Sequence, residues 1–310
     1  MSEILQNNMC YCSQLYPKQF RDYSIERIEY KAHQSVMGYP NWFRDYYSQD
    51  IYYLSHELNK FVNVKEINLN GQQLTTEYAI FYKFCKFIKN NTKLEVLNVN
   101  GCNIHDTALY KLLKCLNMNI RKLYIRCCKM NEKCVDVLVE YMNKNTTLEK
   151  LDISNSFDEK LIYMCKFMNI LSYNRTLKKL ILRGSYLSKE NLKKMVDALK
   201  MNDTLEYLFM ENTYLGDEGA YILSELIRET KTLKYIDISF CQIKAEGMKS
   251  ISKAYKNNQS ILAITIHNFN RDMTDESWKY DKKIQQYIKR NCHNYKHINQ
   301  SLLCKLLKIS

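Results

Sequence analysis

The chain has 310 residues, 46% of them apolar, with a formal charge of +13, 7 Gly and 2 Pro. That much apolar material builds a continuous core, and so few turn-formers argue against an all-β fold and against long disordered linkers. No stretch reaches the ~20 apolar residues that span a bilayer, and a basic surface favours acidic protein, nucleic acid or anionic lipid as partner.

Residues 1–63 carry 6 Lys/Arg against 7 Asp/Glu, so this end contributes nothing to the positive charge. Met1 to Asn8 has neither the positive start nor the apolar core of a signal peptide. The expectation is a cytoplasmic chain, with the nucleus as the alternative, whose 12 Cys are reduced thiols. Ile25 to Tyr30 reads as a strand. Asp50 to Val64 reads as a helix with Ile51, Leu54, Leu58 and Phe61 in line. Stacked repeats need atypical end units to cover exposed core, so residues 1–63 are expected to be an N-terminal cap.

From Val64 onward the text repeats. The template L-x-x-L-x-L-x-x-N/C-x-L starts at Val64, Leu94, Ile120, Leu148, Leu177, Leu205, Leu233 and Ile261, at spacings of 30, 26, 28, 29, 28, 28 and 28 residues. Alternating apolar residues at positions four and six put one face of a short strand into a core. Eight strands are therefore predicted, centred on Ile67, Leu97, Leu123, Leu151, Leu180, Leu208, Ile236 and Ile264. Position nine, where the chain leaves the strand, holds Gln72, Cys102, Cys128, Ser156, Ser185, Thr213 or Cys241. Its cysteines are expected to be buried structural thiols. The second half of each unit is helical, as in Leu109, Leu112, Leu113 and Leu116, in Leu192, Met195, Val196 and Leu199, and in Ala220, Leu223 and Ile227. Gly216-Asp217-Glu218-Gly219 reads as a turn that places acids at a helix N-terminus. Asn90, Asn145, Asn174, Asn202 and Asn258 open N-x-[ST] sequences at the helix-to-strand joints. They read as caps in the left-handed conformation rather than as glycan acceptors. Repeats of 28–29 residues fill 64–276.

Residues 277–310 read as two helices, with Ile284, Tyr287 and Ile288 lining the first and Ile298, Leu302, Leu303, Leu306 and Leu307 the second. Residues 279–310 carry 8 Lys/Arg against the single acid Asp281, which makes this a basic helical cap or tail.

Segments such as KNTTLEKLDIS (144–154) and GDEGAYILSELIRETKTLKYIDIS (216–239) resemble the ribonuclease-inhibitor-like branch of the leucine-rich-repeat superfamily, over about residues 46–270. The resemblance implies an α/β solenoid, a horseshoe with a parallel concave sheet and convex helices. It also implies a binding role of unspecified kind. The basic tail is unlike the acidic tail of Ran GTPase-activating proteins. The net charge is opposite in sign to that of a ribonuclease inhibitor, and no actin-binding segment of the tropomodulin kind precedes the repeats.

Catalytic chemistry is not legible: there is no Gly-rich phosphate loop and no Ser/His/Asp arrangement. Cys10-x-Cys12 and Cys292-His293 with His297 lack a complete zinc spacing. The reading is therefore no enzyme, no cofactor and no metal. Positions three, five and seven of each strand should face away from the core. They are amide-rich in the first two repeats (Asn68, Asn70, Asn98, Asn100) and basic and aromatic in the later ones. The predicted partner-binding residues are Tyr124, Arg126, Lys150, Lys179, Ile181, Arg183, Tyr207, Phe209 and Tyr235, with Tyr207, Phe209 and Tyr235 as one exposed aromatic patch. The function expected is a scaffold that binds an acidic protein through this face. The alternative is nucleic-acid or anionic-surface binding by the basic strip and the C-terminal helices.

Overall fold

The computed structural model describes residues 9–11, 27–29, 63–71, 74, 78–157, 163–267 and 275–294. It divides into two compact units, residues 1–156 and 157–310. The helix read at Asp50 to Val64 and the one read after Ile298 lie outside the described residues.

In the first unit, strands β1 (Met9–Tyr11), β2 (Arg27–Glu29), β3 (Glu66–Asn68), β4 (Val96–Asn98), β5 (Lys122–Tyr124) and β6 (Lys150–Asp152) pair in chain order, all parallel. Helices α1 (Tyr78–Asn90), α2 (Asp106–Lys114) and α3 (Glu132–Lys144) separate the last four. The second unit holds α4 (Met164–Tyr173), β7 (Lys179–Ile181), α5 (Lys189–Lys200), β8 (Tyr207–Phe209), α6 (Gly216–Glu229), β9 (Tyr235–Asp237), α7 (Ala245–Tyr255), β10 (Ala263–Thr265) and α8 (Asp275–Asn294). Its four strands are again parallel and in order. All eight predicted strands are present on their predicted centres. Two more, β1 and β2, precede them, and β2 falls inside the strand read at Ile25 to Tyr30.

The core follows the template. Ile67, Leu97, Leu123 and Leu151 stack in register in the first unit, and Leu180, Leu208, Ile236 and Ile264 in the second, all buried. Helix positions such as Leu109, Leu112, Val135, Leu138, Leu192, Met195, Leu223 and Ile227 close the core from the other side. Asp217 does not precede its helix: Gly216 is already helical. The Asp217 carboxylate instead accepts hydrogen bonds from the backbone N–H groups of Lys244 (2.7 Å) and Gly247 (2.9 Å), at the start of the next helix. A Cβ on Gly247 would meet that oxygen at 2.5 Å, so only glycine admits this cap.

The asparagines at the joints do more than cap. Three residues before five of the eight template starts, Asn91, Asn145, Asn174, Asn202 and Asn258 are buried; at the first of these it is Asn91, not the exposed Asn90 read from the sequence, that fills the joint. Asn202 is representative. Its Oδ1 accepts from the N–H groups of Thr204 (2.9 Å) and Leu205 (2.7 Å), while its Nδ2 donates to the carbonyls of Leu171 (2.6 Å) and Asn174 (3.1 Å) of the preceding repeat. The hydroxyl two residues on also reaches back, as in Thr147 to Met118 O (2.8 Å) and Ser260 to Thr230 O (2.9 Å). Thus N-x-[ST] here is an inter-repeat clamp. Its backbone is extended, not left-handed: Asn145 has φ −78° and ψ 128°, and Asn174 φ −68° and ψ 129°. An extended residue turns the chain directly from helix into strand, which a left-handed one would not do.

The left-handed residue sits instead at template position eight, just after each strand: Gly71, Gly101, Cys127, Asn155, Gly184, Asn212 and Phe240 all have positive φ. Glycine and asparagine tolerate this conformation, whereas a Cβ-bearing cysteine or phenylalanine is strained by it. In four repeats the next residue, at position nine, ties the turn to the repeat before it, whereas Thr213 donates within its own repeat to Met210 O (2.7 Å) and the buried Ser185 hydroxyl has no partner among the described residues. Cys102 Sγ donates to Leu69 O (2.9 Å), Ser156 Oγ to Ile125 O (2.7 Å) and Cys241 Sγ to Met210 O (3.0 Å). Cys102, Cys128 and Cys241 are buried free thiols. Burial raises the Cys128 and Cys241 thiols above their ordinary value, so they stay neutral.

Replacing the exposed, left-handed Cys127 by glycine should stabilise the protein. Relief of strain of about 1–2 kcal/mol exceeds the extra unfolded-state entropy of glycine, about 0.5–1 kcal/mol. Urea unfolding of Cys127→Gly should show a higher midpoint than wild type at unchanged slope. A lower midpoint would contradict the strain.

Candidate functional site

The outward-facing side chains differ between the two units. In the first, β5 and the residues after it present Lys122 and Arg126 exposed, with Tyr124 half-buried between them. Lys150, on β6, lays its Nζ 4.7 Å from the centre of the Tyr124 ring, a cation–π contact that fixes both. Of the predicted set, Tyr124 and Lys150 are thus brought into contact across neighbouring strands; Lys122 pairs in register with Lys150, and Arg126 follows two residues after Tyr124.

In the second unit the predicted exposed aromatic patch is overturned. Phe209 and Tyr235 are each 1% exposed and Ile181 7%; with Ala263 they form a closed apolar cluster, against which the half-buried Tyr207 packs. The three rings do gather, as their stacking in a parallel sheet demands, and Phe209 and Tyr235 lie 5.0 Å apart, centre to centre. They do not face water. Lys179 Nζ sits 4.2 Å above the Phe209 ring and Arg183 Cζ 5.3 Å from it. Long basic side chains cover apolar surface with their stems while keeping their heads wet. The sequence counted side chains by face and could not register this covering. Truncating Tyr207 and Tyr235 would therefore cost stability, contrary to what exposed rings would imply.

Polar groups close the rest of this face. The Tyr235 hydroxyl shares a hydrogen bond with Thr265 Oγ1 (2.8 Å) and donates to Asp237 Oδ2 (3.2 Å); the Asp237 Oδ1 accepts from Ser239 N–H (3.0 Å). The same turn recurs at Asp152 with Ser154 (3.1 Å), at Asn98 with Asn100 (3.1 Å) and at Asn68 with Asn70 (3.2 Å). The amides read as an amide-rich surface thus shape the turn off the strand. Glu211 is held by Arg183 on one side and neighbours the Asp237 carboxyl on the other. Burial, followed by the neighbouring Asp237 charge, pushes Glu211 up to about 7 against the opposing pull of Arg183.

No group of three or more His, Cys, Asp or Glu among the described residues is placed to hold a metal. Cys292 instead donates to Leu262 O (3.2 Å), while His297 and the side chains of Cys10 and Cys12 lie outside the described residues. No helix among the described residues is long and apolar enough to cross a membrane.

A leucine-rich-repeat family model matches residues 90–113 and 231–252. The fold is similar to that of the leucine-rich-repeat-containing protein LegL7 from Legionella pneumophila, with a TM-score of 0.50 and 11% identity over 88% of this chain and 95% of that one. The two matched segments are leucine-rich repeats, and the fold is that of a leucine-rich-repeat solenoid. Each of its units pairs a strand with a helix, as the resemblance in the sequence implied. A tropomodulin C-terminal domain from Caenorhabditis elegans is also similar, at TM-score 0.40 and 16% identity, over 49% of this chain and 93% of that one. No curated protein sequence matches the chain. Leucine-rich-repeat solenoids generally serve as protein-binding scaffolds rather than enzymes.

In this repeat protein the Glu211 arrangement has a consequence for stability. Its value is raised from 4.5 to about 7 by folding, so the native state favours the protonated carboxyl. That contribution is full below about pH 4.5 and is lost as pH rises through about 7. Glu211→Gln, which keeps the size and loses the titration, should flatten the decline of melting temperature across this window. Parallel profiles for the two proteins would contradict the buried carboxyl pair.

Proposed function

We propose that the chain is an interaction scaffold that binds a protein partner with an acidic surface, and that the contact is centred on Lys122, Tyr124, Arg126 and Lys150 of the first unit. The observation that carries this reading is the Lys150 ammonium 4.7 Å over the half-buried Tyr124 ring, with Lys122 and Arg126 exposed two residues to either side of that ring in sequence. An aromatic side chain between cations supplies both ingredients of an interface anchor: apolar area and orienting charge. Lys179 and Arg183, in the second unit, support the same polarity, although Arg183 is engaged with Glu211. The buried Ile181, Phe209 and Tyr235 act as the floor beneath them. Buried free thiols at Cys102, Cys128 and Cys241 favour a reducing compartment, the cytoplasm or the nucleus.

Arg126→Glu with Lys150→Glu should weaken capture of the native partner from cell extract by about tenfold or more at about 0.15 M salt. Lys289→Glu, on α8, should leave it unchanged. Retained capture by the double variant would contradict the site. Capture that nuclease treatment abolishes, and that falls steeply with salt, would assign the surface to nucleic acid instead.

A further inference from the structure

The most irregular spacing in the sequence leaves a physical mark on the helical side of the first unit. The repeat that starts at Val64 spans 30 residues and the next, from Leu94, only 26. Their helices differ accordingly: α1 has 13 residues and α2 has 9, the shortest helix among the described residues. At 1.5 Å per residue α2 is about 6 Å shorter than its neighbour. The two touch over a much smaller stretch than the other adjacent helices within either unit. Between them lies a cavity of about 570 Å³, within the ~300–1,000 Å³ typical of small-molecule sites.

The cavity has two chemistries. Its floor is apolar, built from Phe81, Cys85 and Ala108, all buried. Burial, followed by the neighbouring Cys115, holds the Cys85 thiol well above the ordinary range, so it acts as apolar lining rather than as a nucleophile. The rim is cationic: Lys86 and Lys89 from α1 face Lys111 and Lys114 from α2, all four exposed. Each pair is three residues apart on its helix and so lies on one face. No carboxylate is among the described residues that line the cavity. Lys114 also lies 4.7 Å from the centre of the Tyr110 ring, and an anion placed at the opening is attracted by all four ammonium groups.

We infer that this cleft binds a small anionic amphiphile, with a carboxylate or phosphate head held by Lys86, Lys89, Lys111 and Lys114 and an alkyl or aryl body resting on Phe81, Cys85 and Ala108. The charge of the rim selects the sign of the head, and the apolar floor selects against fully hydrated anions. The enclosed size selects a single monomer over an extended macromolecule. This site is on the helical side and is independent of the cationic cluster around Tyr124.

Calorimetric titration of the full chain with dodecanoate and with dodecyl phosphate, both below their micelle concentrations, tests it. One molecule should bind per chain, and dodecyltrimethylammonium should not bind. Lys86→Gln with Lys111→Gln should weaken binding by about tenfold or more. Thr107→Trp, which fills the mouth from an exposed position, should do the same while circular dichroism stays unchanged. Lys279→Gln on α8 should have no effect. Equal binding of the cationic detergent, unchanged affinity in both cleft variants, or flotation with anionic vesicles without monomer binding would overturn the assignment. So would binding of polyglutamate, lost in the same variants, without dodecanoate binding.

Discussion

The structure depends on a buried amide that belongs to two repeats at once. Every residue of a stacked unit must direct its backbone N–H and C=O groups somewhere, and the joint between helix and strand is where neither ladder can take them. Asn91, Asn145, Asn174, Asn202 and Asn258 resolve this by accepting from the first N–H groups of their own strand. Asn91, Asn145, Asn202 and Asn258 also donate to the carbonyls of the repeat before. In the 26-residue repeat Asn117 takes the role, donating to Ile88 O and Asn91 O, and Thr230 takes the acceptor half in the sixth. Helix α8 adds a further rung: Asn291 donates to Asn258 O and Ile261 O, while Arg290 reaches Lys256 O and Asn258 O. The first of the two C-terminal helices read from the sequence thus packs on the last repeat of the second unit through the same chemistry.

With the joints and the core fixed, the two units use the opposite face of the sheet differently. In the first unit, small and amide side chains at positions five and seven serve the turns, and Lys150 lies over the Tyr124 ring. In the second, Ile181, Phe209 and Tyr235 make a second small core on that face, with Lys179 and Arg183 laid across Phe209. A polar chain from Thr265 through Tyr235 and Asp237 to Glu211 and Arg183 bounds it. On this face Lys122 and Arg126 are exposed, and Tyr124 and Tyr207 are half-buried beneath lysine side chains.

Much of the fold was legible because the template is a statement about burial: residues at positions one, four and six must be apolar for any stacked unit to form. What was not legible turned on geometry the letters do not carry. Asparagine suggested a left-handed cap, but the left-handed position is the eighth, where Gly71, Gly101 and Gly184 were the available signal and Cys127 and Phe240 hid it. Phe209 and Tyr235 occupy outward positions and were read as exposed, because nothing in a strand pattern reports that a neighbouring lysine stem covers a ring. The cavity between α1 and α2 was implicit in the step from a 30- to a 26-residue repeat, yet spacing alone does not say whether a short helix leaves a gap or shifts to close it.

The central claim is that the buried asparagines, more than the thiols of position nine, hold successive repeats together. Equilibrium urea unfolding of Asn202→Ala beside Cys241→Ala tests it most directly. Asn202→Ala strands the N–H groups of Thr204 and Leu205 and two carbonyls of the preceding repeat, and should lose about 3 kcal/mol. Cys241→Ala gives up weak sulfur bonds and little volume, and should lose about 1 kcal/mol. A loss from Asn202→Ala no greater than that from Cys241→Ala would contradict the account.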